Sequence, residues 1–267
     1  MATVKEIEAF LFSKAPKELA MEWDNVGLLV GFPDREVKKV LVALDITGEV
    51  AGEALEMGAD LIVAHHPVMN CAWEKVQTVR ADTVQGSILI KMLTGGVSGI
   101  CMHTNLDAVA GGVNDALAQR LGLTEVEQLH PDGIGPDGRP YGIGRVGKAE
   151  GFADARAFSA FVRQALNANG LRFEDAGKRV HKVAVGGGAC GGMLSDAAAL
   201  GCDTFVTADV KYDVFLTARA MGINLIDAGH FSTEDVVCPV LVDWLKEGFP
   251  ETAVVKSARH KEVFSCL

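Results

Sequence analysis

The chain has 267 residues, 49% of them apolar, and a formal net charge of −10. That apolar share is ample for packed cores, in one large domain or two smaller ones, and excludes a largely disordered chain. The acidic balance, without any long Lys/Arg run, argues against a protein that grips nucleic-acid phosphates or an anionic membrane. The six cysteines, Cys71, Cys101, Cys190, Cys202, Cys238 and Cys266, form no C-x-x-C. Neither a zinc knuckle nor a disulfide framework is expected, and a reducing cytoplasm suits the chain.

The opening "MATVKEIEAFLF" interrupts its apolar residues with Lys5, Glu6 and Glu8, a pattern for an amphipathic helix and not a signal peptide. No run reaches membrane-spanning length. Next, "KKVLVALDITGEVAGEALEMGADLIVAHHP" reads as strand, loop, a helix closed by Gly58, and a second apolar strand that ends at His65 and His66. The apolar "VSGIC" precedes "HTNLD", His103 to Asp107. The stretch "HPDGIGPDGRPYGIGRVG" is rich enough in Gly and Pro to be irregular or hairpin-forming, and is the expected junction region. Phe158, Phe161, Val162, Ala165 and Leu166 recur at helical spacing, with Gly170 as the expected stop, and read as core.

"HKVAVGGGACGGMLSDAAALGCDTFVTADVK" then repeats the earlier strand–helix–strand pattern. Lys39, Val40, Val42, Ala54, Gly58 and Asp60 fall on Lys182, Val183, Val185, Ala197, Gly201 and Asp203 without a gap. "INLIDAG" leads into "HFSTE", His230 to Glu234, which shares His-x-x-x-acid with "HTNLD". The expected fold is therefore α/β, with two related lobes from an internal duplication. The first lobe is expected over 1–125 plus 235–267, and the second over 126–234.

His65, His66, His103 and His230 all follow strand candidates, and in open α/β sheets ligands gather beyond the carboxyl ends of strands. The set His65, His66, Asp107, His230 and Glu234 offers imidazoles and carboxylates suited to zinc, iron or manganese. Two such ions roughly 3.5–4 Å apart commonly share a bridging carboxylate. A lone histidine is more often a hydrogen-bonded structural residue, but five donors at matched strand ends favour a metal site. A competing signal is Gly186, Gly188 and Gly191 with Asp209 about 20 residues on, the spacing of a dinucleotide fingerprint. Alternatively, these glycines let backbone approach a site.

With "EWDNVGLLVG", "LIVAHHPV", "HTNLDAVAGGVNDAL", "VAVGGGACGG" and "IDAGHFSTE" in order, the sequence resembles the NIF-three-like dinuclear metal-binding family, whose members often carry the name type-2 GTP cyclohydrolase I. The resemblance implies two divalent ions per subunit on His65, His66, Asp107, His230 and Glu234, between two α/β lobes, in a ring-like homohexamer. Many relatives carry histidine where this chain has Asp213; a plain alternative for Asp213 is an acid at a helix start. Trp23 and Asp24 either line a substrate entrance or close a turn against the core. Asp209 and Lys211 are further candidate substrate contacts, and His103 a candidate proton relay.

The leading functional expectation is a dinuclear metal-dependent hydrolase, with nucleotide ring opening of the GTP cyclohydrolase kind as the reaction the resemblance implies. The alternatives are a non-catalytic metal-binding scaffold that meets regulatory partners, and a metal-dependent phosphoesterase. The expected partners are a small molecule and further copies of the chain, without nucleic acid or membrane.

Overall fold

A computed structural model describes residues 1–71, 75–136 and 138–266. The chain divides into two compact units, Met1–Val109 with Cys238–Lys261 and Ala110–Val237 with Glu262–Leu267. Each is a mixed α/β fold, as the alternation of strand and helix patterns predicts.

In the first unit the strands Gly27–Val30, Ser98–Cys101, Leu61–Ala64, Lys39–Ala43 and Ala253–Lys256 lie side by side in that order. The last four are mutually parallel, and Gly27–Val30 runs antiparallel at the edge. Leu61–Ala64 is buried along its whole length, which is why it reads as an unbroken apolar run and not an alternating one. The helix Gly48–Glu56 opens on Thr47, whose hydroxyl accepts from the Val50 N–H, and Gly58 at φ 66° turns the chain back. Its Val50, Ala51 and Ala54 pack with Leu89 and Met92 of the helix Val84–Gly95 against Leu41 and Ile62. Each such fully buried Leu or Ile contributes roughly 1.5–3 kcal/mol. The N-terminal helix Val4–Lys14 buries Val4, Ile7 and Leu11 at helical spacing, and Glu6 accepts from the Thr3 N–H at 2.7 Å to fix its start.

In the second unit the strand order is Thr124–Gln128, Arg145–Lys148, Lys182–Val185, Thr204–Thr207, Asn224–Asp227 and Arg172–Glu174. The strands Lys182–Val185, Thr204–Thr207 and Asn224–Asp227 are parallel, and the others pair antiparallel. Leu117 of the helix Val113–Arg120 and Phe158 and Val162 of the helix Ala155–Ala165 cover one face, over Val183, Val206 and Ile226. Leu194, Ala197 and Ala218 cover the other, over Ala184, Phe205 and Leu225. Residues 110–125, expected from sequence in the first lobe, belong here because Leu117, Ala118, Leu121 and Leu123 are part of this core. Residues 235–237 and 262–267 also fall in this unit.

Two local expectations are corrected. The helix Ala155–Ala165 is stopped by Asn167 at φ 51° and not by Gly170; the Ala168 N–H reaches back to the Arg163 carbonyl at 2.9 Å. Gly170 instead makes room for Cys266, whose Sγ would lie 2.5 Å from an added Cβ. The Gly/Pro-rich stretch forms a short hairpin, Gly133–Ile134 with Pro140–Tyr141, and the boundary between the units lies earlier, at Val109.

Matched contacts recur inside each unit. Asp60 Oδ2 accepts from the N–H groups of Lys38 and Lys39 at 2.8 and 3.2 Å, and Asp203 Oδ2 from those of His181 and Lys182 at 3.0 and 2.7 Å. Lys39 Nζ donates to the Met57 carbonyl and Lys182 Nζ to that of Leu200. Further on, Met102 N–H donates to Ala64 and Ala228 N–H to Thr207, both at 2.9 Å. Only one residue separates that contact from His230, whereas His103 follows directly; the extra residue is Gly229, at φ 86°.

Candidate metal centre

In the first unit the N–H groups of His65 and His66 both donate to the Leu44 carbonyl, at 3.1 and 2.9 Å, so the chain bends off the strand end there. His65 is fully buried, and its Nδ1 lies 2.8 Å from the Met102 carbonyl. A carbonyl only accepts, so Nδ1 carries the proton, and in the neutral ring Nε2 then holds the lone pair. That Nε2 stands 3.6 Å from Asp107 Oδ1. Two lone-pair donors turned to one another in a buried place repel unless a cation or a proton lies with them.

His66 Nδ1 is held by Asp45 Oδ1 at 2.7 Å, and His103 Nδ1 by Asp24 Oδ1 at 2.8 Å. The three imidazoles form a cluster with ring centroids 4.9, 5.2 and 5.6 Å apart, and donor atoms of His65, His66 and His103 fall within 4.8 Å of one another. Burial by itself would raise the Asp24 pKa, but the His103 hydrogen bond and charge, with the Thr104 N–H and hydroxyl, outweigh it and hold the carboxyl at about 2. At Asp45 burial is likewise outweighed, by His66 first and then by the charges of His260 and His65, so its pKa is lowered.

In the second unit the short helix His230–Glu234 brings His230 Nε2 to 2.9 Å from Glu234 Oε2, across one turn. His230 Nδ1 is 2.7 Å from Asp209 Oδ2. Asp209 adopts φ 51°, a left-handed conformation uncommon for a non-glycine residue, and in it aims its carboxylate at that ring. Beside them runs the glycine loop. Gly188 sits at φ 64°, and a Cβ on it would overlap Glu234 Oε1 and lie 3.1 Å from His230 Nε2. Its N–H donates to Thr233 Oγ1 at 3.0 Å, and that of Gly187 to Asn114 Oδ1 at 3.0 Å. The glycines thus serve close backbone approach to His230 and Glu234. Asp209, which a dinucleotide fingerprint would assign to a ribose, bonds His230.

In all four histidines Nδ1 meets an oxygen acceptor, the arrangement that leaves Nε2 as donor to a metal and fixes the ring plane. The donor types, imidazole and carboxylate, suit zinc, iron or manganese. Trp23 is 44% exposed, with its ring edge-on to His103 at 6.0 Å. Asp24 orients His103. Lys211 is exposed at the N-cap of the helix Tyr212–Met221, and Asp213 is an exposed acid in that helix's first turn. Sequence reasoning missed Asp45 and His260. Asp45 could have been found, since it lies two residues past the strand Lys39–Ala43, as His66 does past Leu61–Ala64. His260, 215 residues from Asp45, gives no local signal.

Fold and site together define an α/β protein with histidine–carboxylate groups of the kind that hold metal ions. The family model described as Duf34/NIF3 (NGG1p interacting factor 3) matches residues 2–262, and the chain belongs to that family. It is 35% identical over 233 residues to a GTP cyclohydrolase 1 type 2 homolog of Clostridium perfringens, covering 85% of this chain and 84% of the relative. It is 37% identical over 238 residues to a protein of the same name from Streptomyces coelicolor, covering 88% and 82%. The crystal structure of a Bacillus cereus protein related to NIF3 is similar at a TM-score of 0.92 and 26% identity, covering 100% of this chain and 99% of that one.

Proposed function

We propose that the protein is a dinuclear metal-dependent hydrolase in which His65, His66, Asp107, His230 and Glu234 hold two divalent ions. The observation that carries this reading is the pairing of imidazole nitrogen with carboxylate oxygen, His65 Nε2 with Asp107 Oδ1 at 3.6 Å and His230 Nε2 with Glu234 Oε2 at 2.9 Å, while Nδ1 of each ring meets an oxygen acceptor. Ions held there supply Lewis acidity toward water and toward a substrate oxygen. Asp24 holds a proton at His103 Nδ1, which sets that ring to exchange protons with substrate through its other nitrogen. Trp23, packed on His103 and partly exposed, offers an apolar wall for a planar substrate group. The name shared by the Clostridium and Streptomyces relatives makes GTP the first substrate to test.

The matched contacts of Asp60 with Asp203 and Lys39 with Lys182 support an origin of the two units by duplication. The assembly is a homohexamer, in keeping with the family resemblance, so light scattering should report a mass several times 28.3 kDa. Elemental analysis after reconstitution should find close to two divalent ions per chain. A turnover screen over GTP, other nucleotides and phosphoesters should find a reaction that a chelator abolishes. A reconstituted protein that holds no metal would overturn the proposal.

A further inference from the structure

The chain's C-terminal segment reaches the candidate metal centre without supplying a ligand to it. The strand Ala253–Lys256 pairs in parallel with Lys39–Ala43, so residues 257–260 emerge beside Asp45. Ser257 N–H donates to the Val42 carbonyl at 2.7 Å. Glu53 then clamps the turn: its carboxylate accepts from Ser257 Oγ at 2.5 Å, the Ala258 N–H at 3.0 Å and the Arg259 N–H at 3.3 Å. Arg259 adds a two-pronged pair with Glu56, and Ser257 Oγ accepts from the His260 N–H at 3.0 Å. The product of this clamp is one side chain in one place. The His260 ring is 5% exposed, with Nε2 2.9 Å from Asp45 Oδ2. The Asp45 N–H points to the same nitrogen at 3.2 Å, but the carboxylate can only accept, so the shorter contact puts the proton on Nε2 and the backbone contact is then no hydrogen bond. Asp45 Oδ1 meanwhile takes His66 Nδ1 at 2.7 Å.

An aspartate held by one oxygen alone still turns about its soft terminal torsion, and an imidazole bonded to it turns too. Held at both oxygens, the carboxylate plane is fixed, and with it the plane of the ring it carries. Asp45 itself is 40% exposed at its side chain, so water competes for any oxygen left unheld. We propose that His260 is a positioning residue: by donating from Nε2 to Asp45 Oδ2 it locks the Asp45 carboxylate, which locks His66 with Nδ1 protonated and Nε2 directed as a metal donor. The inference rests on the metal-binding reading given above. It makes the C-terminal segment a working part of the site, for which the five ligands alone give no reason.

The test uses the full chain stripped of metal by a chelator, with Zn²⁺ alone as the probe in competition with a chromophoric chelator, and His260→Phe and His260→Gln as variants. Glutamine can place an N–H donor near the position of imidazole Nε2; phenylalanine fills the space without one. His260→Phe should weaken Zn²⁺ binding about 10- to 100-fold, the usual effect of losing an outer hydrogen bond to a ligand, and His260→Gln should stay within about 3-fold of the unaltered protein. Nitrogen-15 NMR of the metal-free imidazoles provides a readout independent of metal. His66 should show a single Nδ1–H tautomer in the unaltered protein and in His260→Gln, and a mixture in His260→Phe. Equal Zn²⁺ affinity and equal tautomer purity in all three proteins would overturn the positioning role while leaving the metal site standing. Equal losses in both variants, alongside equally lowered unfolding temperatures, would reduce His260 to a fold element and also overturn it. Failure of the unaltered protein to bind Zn²⁺ would overturn the metal reading itself, and the tautomer comparison would still decide whether His260 orients His66.

Discussion

Gly188 lies against Glu234 so closely that the glycine has no room for a Cβ: one built on its backbone overlaps Glu234 Oε1 and stands 2.9 Å from Cδ. The residue is also at φ 64°, where an L side chain costs about 1–2 kcal/mol. Gly188→Ala should therefore push the Glu234 carboxylate off its position. The expected outcome is a loss of at least about 1 kcal/mol in urea unfolding together with a fall in bound metal. Unchanged metal content in a folded variant would show that Glu234 has another place to go.

Glu234→Gln keeps the side chain's size and replaces a two-oxygen anion by a neutral amide, a poor donor to cations. Metal content should drop below that of the parent, and turnover on any identified substrate should fall on the order of 100-fold. His65→Ala removes a donor whose neighbours are buried, so metal occupancy should fall while far-UV circular dichroism stays native. Full turnover with full occupancy in Glu234→Gln would remove the dinuclear hydrolase from consideration and favour a binding role.

The second unit has a structural ion pair apart from the site. Arg145, 2% exposed, bonds Asp115 with Nε and Nη2 at 2.9 and 2.8 Å, and its Nη1 serves the carbonyls of Gly142 and Gly144. Asp115→Ala leaves a buried guanidinium short of its anion, at a cost of roughly 3 kcal/mol. Chemical denaturation should register that loss with the slope unchanged. A change under about 0.5 kcal/mol would mean that the two carbonyls and Gln128 Oε1, which accepts from Nη1 at 2.7 Å, satisfy Arg145 without the carboxylate.

Asp24 carries a pH signature. Its carboxyl is held at about 2, below the ordinary 3.8, so the stabilisation is complete above 3.8 and is lost as pH falls toward 2. The whole effect is about 2 kcal/mol, of which about 1 kcal/mol should vanish between pH 5 and pH 3. In metal-free Asp24→Asn that part of the pH dependence should be absent from unfolding free energies measured at the two values. An identical slope in both proteins would place the acid sensitivity elsewhere.

Much of this architecture is legible in the chain alone, because burial leaves a periodic trace. "DLIVA" and "DTFVT" read as strands since both faces of Leu61–Ala64 and Thr204–Thr207 are covered. Gly58 and Gly201 read as helix stops since the left-handed turns there, at φ 66° and 71°, favour a residue without Cβ. Residue type and place beyond a strand likewise single out His65, His66, His103 and His230. Tertiary structure alone decided what holds each ring: Met102 for His65, Asp45 for His66, Asp24 for His103 and Asp209 for His230. It alone decided that residues 110–125 join the second core, and that His260 comes to Asp45 from 215 positions away. The physical reason is that hydrophobic period records which face of an element is covered, whereas a hydrogen bond between distant residues depends on which strands become neighbours, and no local pattern carries that.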